Sequence, residues 1–343
     1  MVRPMPATRV LVTGGSGFIA GHCILQLLEQ GYAVRATLRS LGRQAAVRAV
    51  LEESGMADGH RLSFVAADLM SDPGWAEAMR DVDYVLHVAS PVQPGHVTNE
   101  DDLIVPARSG TLRVLRAARA AGVRRVVLTS AFHAVSWGHP HDGHIFTDDD
   151  WTILDGPGVD AYAKSKTLAE RAAWDFVAGE AELVALLPVA VMGPVMGGAV
   201  SGANHLIQRI LDGGMAAFPH LYIPVVDVRD VAAAHLLAMT TPEAAGQRFL
   251  LSNGPAIALS EIGALIKVPR RTVPDIVVRA AAVFNREFRP YVPDLGYAKK
   301  TSNAKARRVL GWTPRKPEEA IVAAADSIVR ARSVGRSSLL PGT

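Results

Sequence analysis

The chain has 343 residues, 49% of them hydrophobic and 20% charged, which is enough for one large core or two closely joined lobes. Its formal charge of +3 comes from Lys and Arg scattered without a block of like charges, so nucleic-acid binding is not expected. The single cysteine, Cys23, excludes an internal disulfide and a cysteine-based metal centre and fits a reducing compartment.

In chain order, Met1 to Thr8 is short and proline-bearing, without an apolar stretch of signal-peptide length. No later segment offers the roughly 18 unbroken apolar residues of a membrane span, and a cytoplasmic protein with no membrane partner is expected. Short apolar or β-branched runs at Val10 to Thr13, Tyr32 to Arg39, Leu62 to Ala67, Asp83 to Val88, Arg125 to Thr129 and Glu182 to Leu187 read as parallel strands. Helix-period segments lie between them at Gly17 to Gln30, Arg43 to Ser54, Trp75 to Arg80, Val105 to Ala121 and Ala161 to Gly179. This alternation predicts an α/β fold: a doubly wound parallel sheet of the Rossmann type, covered by helices on both faces.

After Pro188 the alternation gives way to segments rich in Gly and Pro, which predict a smaller C-terminal lobe interleaved with the first. The expected division is a nucleotide-binding domain at 1–188, rejoined by about 225–252, and a substrate lobe at 189–224 and 253–332. A flexible tail is expected at 333–343.

Directly after the first strand comes Thr13-Gly14-Gly15-Ser16-Gly17-Phe18-Ile19-Ala20-Gly21, opening a helix. Gly14 and Gly17 permit a tight turn and close approach of backbone to a pyrophosphate, and the helix start offers free N–H groups to it. Ser16, Phe18 and Ile19 belong to the same cradle. Where the second strand ends, an NAD-binding protein usually carries an acid against the ribose 2′-hydroxyl; here stand Arg39, Ser40 and Arg43. A guanidinium can grip a 2′-phosphate that a carboxylate would repel, so NADP(H) is the expected cofactor. Asp68 and Leu69, at the end of the third strand, fall where an adenine would lie, although a local polar cap explains Asp68 equally well. Val88, Ala89 and Ser90, small residues after the fourth strand, would let backbone approach the ribose.

The strongest chemical signal is Tyr162-Ala163-Lys164-Ser165-Lys166 at the start of a helix. Tyr162 and Lys166 are one turn apart on one face, so the ammonium, through a cofactor ribose that both residues bind, and the positive nicotinamide of the oxidised cofactor are expected to bias the phenol toward ionisation, from a reference value of about 10. That is the pairing of a general acid with its activator.

On VTGGSGFIAG ending at Gly21, VRATLRS at 34–40, HVASP at 87–91, RRVVLTSA at 124–131, YAKSK at 162–166, PVAVMGP at 188–194 and VVDVRDVA at 225–232, the chain resembles the extended short-chain dehydrogenase/reductases. It is most similar to the branch with dihydroflavonol reductases, cinnamoyl-CoA reductases and NADPH-dependent aldehyde or carbonyl reductases, from Val10 to about Trp312. The resemblance implies a monomer or homodimer acting on a small-molecule carbonyl substrate. It also implies that Arg39 grips the 2′-phosphate, Asp68 and Leu69 the adenine, Ala89 the ribose, and Pro188 with Val191 the nicotinamide face. Members commonly carry two adjacent serines after the fifth strand, the second touching the substrate oxygen; here the pair is Ser130-Ala131, so Thr129, Ser130 or a water must polarise the carbonyl, with Ser130 the expected donor and Thr129 expected to border the cofactor.

Two other functions compete with NADPH-dependent reduction of a small or hydrophobic aldehyde or ketone. A sugar-nucleotide epimerase or dehydratase would retain NAD, which Arg39 opposes. A nucleotide-sensing protein would not need the Tyr162 and Lys166 pair. His133, His139, His141 and His144 lack the spacing of a metal helix and read as a polar loop, with His133 alone near the expected site. Thr147 to Trp151 reads as a helix cap, Ser302 to Trp312 as a helix closed by Gly311, and Met196, Leu206, Phe218 and Tyr222 as apolar walls of a substrate pocket.

Overall fold

The structure, a computed structural model, describes residues 8–91, 99–178, 182–285, 289 and 292–337. Gly179, Met1 to Ala7 and the tail from Ser338 lie outside the described residues. The first half runs β1 (Arg9–Val12), α1 (Phe18–Glu29), β2 (Ala33–Leu38), α2 (Gln44–Glu53), β3 (Leu62–Ala66), α3 (Trp75–Ala78), β4 (Tyr84–His87), α4 (Asp101–Ala120) and β5 (Arg125–Thr129). The short β6 (Ile145–Phe146), then α5 (Ala161–Val177) and β7 (Glu182–Pro188), complete it.

Past Pro188 come β8 (Ala190–Met192), α6 (Asn204–Leu211), β9 (Phe218–Pro219), β10 (Tyr222–Ile223), β11 (Val225–Asp227), α7 (Val228–Thr240) and β12 (Arg248–Leu251). The chain closes with β13 (Ile257–Ala258), α8 (Leu259–Leu265), β14 (Thr272–Val273), α9 (Asp275–Phe284), β15 (Lys300–Thr301), α10 (Ala304–Leu310) and α11 (Pro317–Ser337).

Seven strands form one parallel sheet in the order β12-β7-β5-β4-β1-β2-β3. The doubly wound sheet expected from sequence is therefore present, with its strand order reversing between β1 and β4, where such sheets open a crevice. Strand alternation explains why both faces are covered. Val10 and Val12 pack in one apolar cluster with α1, α2 and α7, while Leu11 between them packs in a second with α3, α4 and α5. A third cluster around Ile207, Phe218, Ile262 and Ile321 holds α6, α8 and α11 together.

Four local features differ from expectation. Helix α4 begins a turn earlier, at Asp101; Asp101 and Asp102 suit its positive end, and Pro106, which lacks an N–H, costs it one internal bond. Strand β11 does not enter the main sheet. Val189 N still bonds Leu251 O there, but the next residue turns away, Ala190 N bonding Pro224 O, so β8 pairs with β11 instead. Thr147 to Trp151 caps no helix. Its segment turns back, Thr147 N donating to Asp150 Oδ2 at 2.7 Å, and Arg248 Nη1 on β12 donates to the carbonyls of Asp148 and Asp150 at 2.6 and 2.8 Å. The cap of α5 is Asp160, whose Oδ1 accepts from Ala163 N at 2.7 Å. Helix α11, finally, carries its helical turns through Ser333 to Ser337, where a frayed tail is expected. By contrast α10 ends at Gly311 in the left-handed conformation, as its sequence predicts.

Candidate active site

The glycine turn after β1 is shaped by contacts that exclude side chains. Gly14 has φ +70°, and a Cβ there would lie 3.0 Å from the Ala89 Cβ. Gly14 N bonds Thr37 Oγ1 at 2.9 Å and Gly15 N bonds Thr37 O at 2.8 Å, so the end of β2 braces the turn. Ala89 N donates to Thr13 Oγ1 at 2.9 Å, and Thr13 Oγ1 also meets His87 Nδ1 at 2.9 Å, which fixes the end of β4 against the end of β1. Ser16, Phe18 and Ile19 follow at the start of α1, which no side chain caps, and Cys23 and Ala20 are buried where that helix lies on the sheet. This small-residue cradle at a helix N-terminus is shaped to take a pyrophosphate.

Arg39 and Arg43 are exposed just past β2 and bond to no described side chain. Asp68 uses its carboxylate locally, Oδ1 accepting from Met70 N at 2.9 Å, and Leu69 packs against Gly110 of α4. Val88, Ala89 and Ser90 are half-buried after β4; Pro188 is buried at the end of β7, and Val191 is half-buried in β8. Apart from Val191, these residues stand at or just beyond the carboxyl ends of strands of the sheet, the side on which such folds bind nucleotides.

On α5, Tyr162, Lys166 and Glu170 follow at four-residue steps. Lys166 is buried, its Nζ donating to Ser90 Oγ at 3.1 Å and standing 5.8 Å from the centre of the Tyr162 ring. Burial lowers its pKa to about 8, against the opposing pull of Glu170. In the protein alone, burial, then the Asp160 carboxylate, pushes Tyr162 up to about 12, and the ammonium does not offset this. Burial holds His87 neutral, with a pKa down to about 3.

Both hydroxyls at the end of β5 face inward. His235 Nδ1 meets the Val231 carbonyl at 2.7 Å and must donate to it, so His235 Nε2 accepts from Thr129 Oγ1 at 2.7 Å. Ser130 Oγ donates to Glu170 Oε2 at 2.5 Å, and Glu170 Oε1 accepts from Arg248 Nε at 2.7 Å and Trp174 Nε1 at 3.2 Å. Ser130, expected to hold a substrate oxygen, is thus already bonded within the protein. A cavity of about 20 Å³ lies among Ser90, Thr111, Ser130, Lys166 and Glu170, space for about one water.

The Tyr162 ring meets His133 edge-on at 4.8 Å between centres, and His133 stacks on Trp137 at 3.8 Å. Of the residues anticipated as apolar walls, Phe218 belongs to the core. Phe218 is fully buried in the third cluster with Leu206 beside it, Met196 packs against Gly21 of α1, and the Tyr222 hydroxyl meets His220 at 3.1 Å.

A sequence profile of the NAD dependent epimerase/dehydratase family matches residues 10–252, the span that holds the glycine turn, the Tyr162 helix and all seven sheet strands. The chain belongs to this family. The resemblance to extended short-chain dehydrogenase/reductases is borne out by relatives along most of the length. The chain is 30% identical to a cinnamoyl-CoA reductase of Medicago truncatula over 89% of the chain and 91% of the relative. It is 33% identical to a ketoreductase of Aspergillus niger over 90% and 94%. The crystal structure of yeast methylglyoxal/isovaleraldehyde reductase Gre2 with NADPH superposes with a TM-score of 0.74 at 25% identity, covering 95% of this chain and 99% of that one.

Sequence reasoning missed Glu170, Thr37, His235 and Arg248. Glu170 carried a signal, being the next four-residue step after Lys166. The others meet their partners only across the sheet.

Proposed function

We propose that this chain reduces a small aldehyde or ketone to its alcohol with NADPH, Tyr162 supplying the proton. It is an NADP-dependent oxidoreductase of the extended short-chain family, like the reductases it resembles along nearly its whole length. The observation that carries the reading is Tyr162 and Lys166 on one turn of α5, with Lys166 bonded to Ser90 beside the nucleotide cradle.

The cradle fits the cofactor: Gly14 holds a left-handed φ of +70° close against Ala89, and Arg39 and Arg43 bond to no described side chain and can meet a 2′-phosphate. When bound, NADPH supplies the hydride. The residues of the chain do the rest: Gly14, Ser16, Gly17, Phe18 and Ile19 take the phosphates, Asp68 and Leu69 border the adenine, Val88, Ala89 and Ser90 the ribose, and Pro188 and Val191 the nicotinamide. Thr129 serves by supporting the end of β5. The Tyr162 O–H passes its proton to the substrate oxygen, and the Lys166 ammonium stabilises the phenolate left behind. Ser130 fixes Glu170 below Lys166, and the segments 189–224 and 253–332 close over the substrate. Arg39 and Arg43, which pair with no carboxylate among the described residues, favour this over an NAD-retaining epimerase, and the Tyr162 pairing favours it over a cofactor sensor.

The test is absorbance of the reduced cofactor when the purified chain meets NADPH or NADH and a panel of aldehydes and ketones. NADPH oxidation matched by alcohol is expected, and Tyr162→Phe should lower kcat by about a hundredfold or more with NADPH binding intact. Cofactor held without net oxidation, or a Phe variant as fast as the parent, rejects the reading.

A further inference from the structure

As hydride reaches a carbonyl carbon, the oxygen gathers negative charge, and a fixed donor beside the acid lowers the barrier. At the end of β5 no hydroxyl is available for this: Thr129 donates to His235, Ser130 donates to Glu170, and Ala131 has none. His133 comes next along the chain, its half-buried ring set edge-on against Tyr162. We propose that the imidazole N–H of His133 donates a hydrogen bond to the substrate's carbonyl oxygen while Tyr162 delivers the proton. This rests on the carbonyl-reductase reading above.

The surroundings hold that ring in one orientation. His133 stacks on Trp137 with planes 20° apart, and Lys299 Nζ lies 3.8 Å from the centre of the Trp137 ring. Phe132 braces Trp137 edge-on at 6.0 Å. The backbone is pinned as well: Thr152 Oγ1 donates to His133 O at 2.7 Å, Trp137 N donates to Thr152 Oγ1 at 3.1 Å, and Thr152 N bonds Ala134 O at 3.0 Å. Among the described residues the one bond to His133 beyond its own helical turn goes to its carbonyl, and both ring nitrogens are without a partner. A fixed, unpartnered donor beside a phenol is what an oxyanion contact requires.

Chemistry assigns the ring the donor's part and leaves the acid's to Tyr162. Burial, with the ammoniums of Lys299 and Lys166, lowers the His133 pKa to about 3, so the ring is neutral at working pH and offers one N–H. No proton leaves it during turnover, and the balance of the reaction is unchanged: hydride to carbon, proton from Tyr162 to oxygen.

The experiment measures kcat, KM and NADPH binding by fluorescence for four proteins: the parent, His133→Ala, His133→Gln and His133→Ala with Ala131→Ser. The expected result is a fall in kcat of about a hundredfold for His133→Ala, with NADPH affinity within about twofold of the parent. His133→Gln, which keeps an N–H, and the double variant, which brings a hydroxyl to the end of β5, should each recover about tenfold. A ring that merely supports Trp137 would not be rescued by a hydroxyl at position 131. Parent-like turnover in His133→Ala, or loss without rescue in either second variant, overturns the inference and leaves the reductase reading standing. A parent that reduces no carbonyl overturns both.

Discussion

Lys166 is an ammonium in the interior, and its protonation sets a limit on the reaction proposed here. Burial lowers its pKa to about 8, so it is charged below that pH and neutral above it. In the proposed reaction the charged form is the one that stabilises the Tyr162 phenolate. Accordingly kcat/KM for a carbonyl substrate should fall as pH rises through about 8, and Lys166→Met should abolish that limb along with most of the rate. A profile flat into the range where tyrosines titrate would remove Lys166 from the role. The sequence placed Tyr162 and Lys166 on one helical face but did not show how deeply the phenol is buried, because spacing reports neighbours and says nothing of burial. Tyr162 is raised to about 12 by desolvation and by Asp160, so in the protein alone the phenol holds its proton throughout the working range.

Helix α5 carries this chemistry because its start is fixed. Asp160 caps it through Ala163 N, and the same carboxylate raises the Tyr162 pKa. Asp160→Ala should therefore do two things: destabilise the fold by about 1 kcal/mol in urea titration and move the phenol's titration downward, followed by its ultraviolet absorbance. Stability lost without a shift in the phenol would mean that Asp160 acts as a cap alone. The elements of the first half were legible because apolar runs and turn residues are local signals. Thr147 to Trp151 was not. Its acids resemble a cap, yet they turn back onto Arg248 of β12, a partner that lies far away in sequence.

Across the whole molecule, one buried ion pair ties the two halves of the sheet's far edge. Glu170 on α5 meets Arg248 on β12, and Ser130 after β5 and Trp174 bond the same carboxylate. The Arg248 guanidinium lies 3.6 Å over the Trp151 ring. Removing one member of such a pair leaves the other charged and buried, so Glu170→Ala should cost about 3–5 kcal/mol of unfolding free energy. A loss under about 1 kcal/mol would show that the network contributes little. This pair also explains why the Ser130 hydroxyl is bonded within the protein: the ionised carboxylate beside it is a strong acceptor.

The sequence alone determined the alternating elements, the glycine turn, the basic end of β2 and the Tyr162 stripe of α5, because each depends on residues close along the chain and on periods of two and of three to four. Only the tertiary structure decided which strand joins the edge of the sheet, that Phe218 is core, and that Thr129 and Ser130 point inward while His133 meets Tyr162. Those outcomes depend on which distant groups compete for the same donors and the same buried volume, and such competition is settled only when the layers pack together.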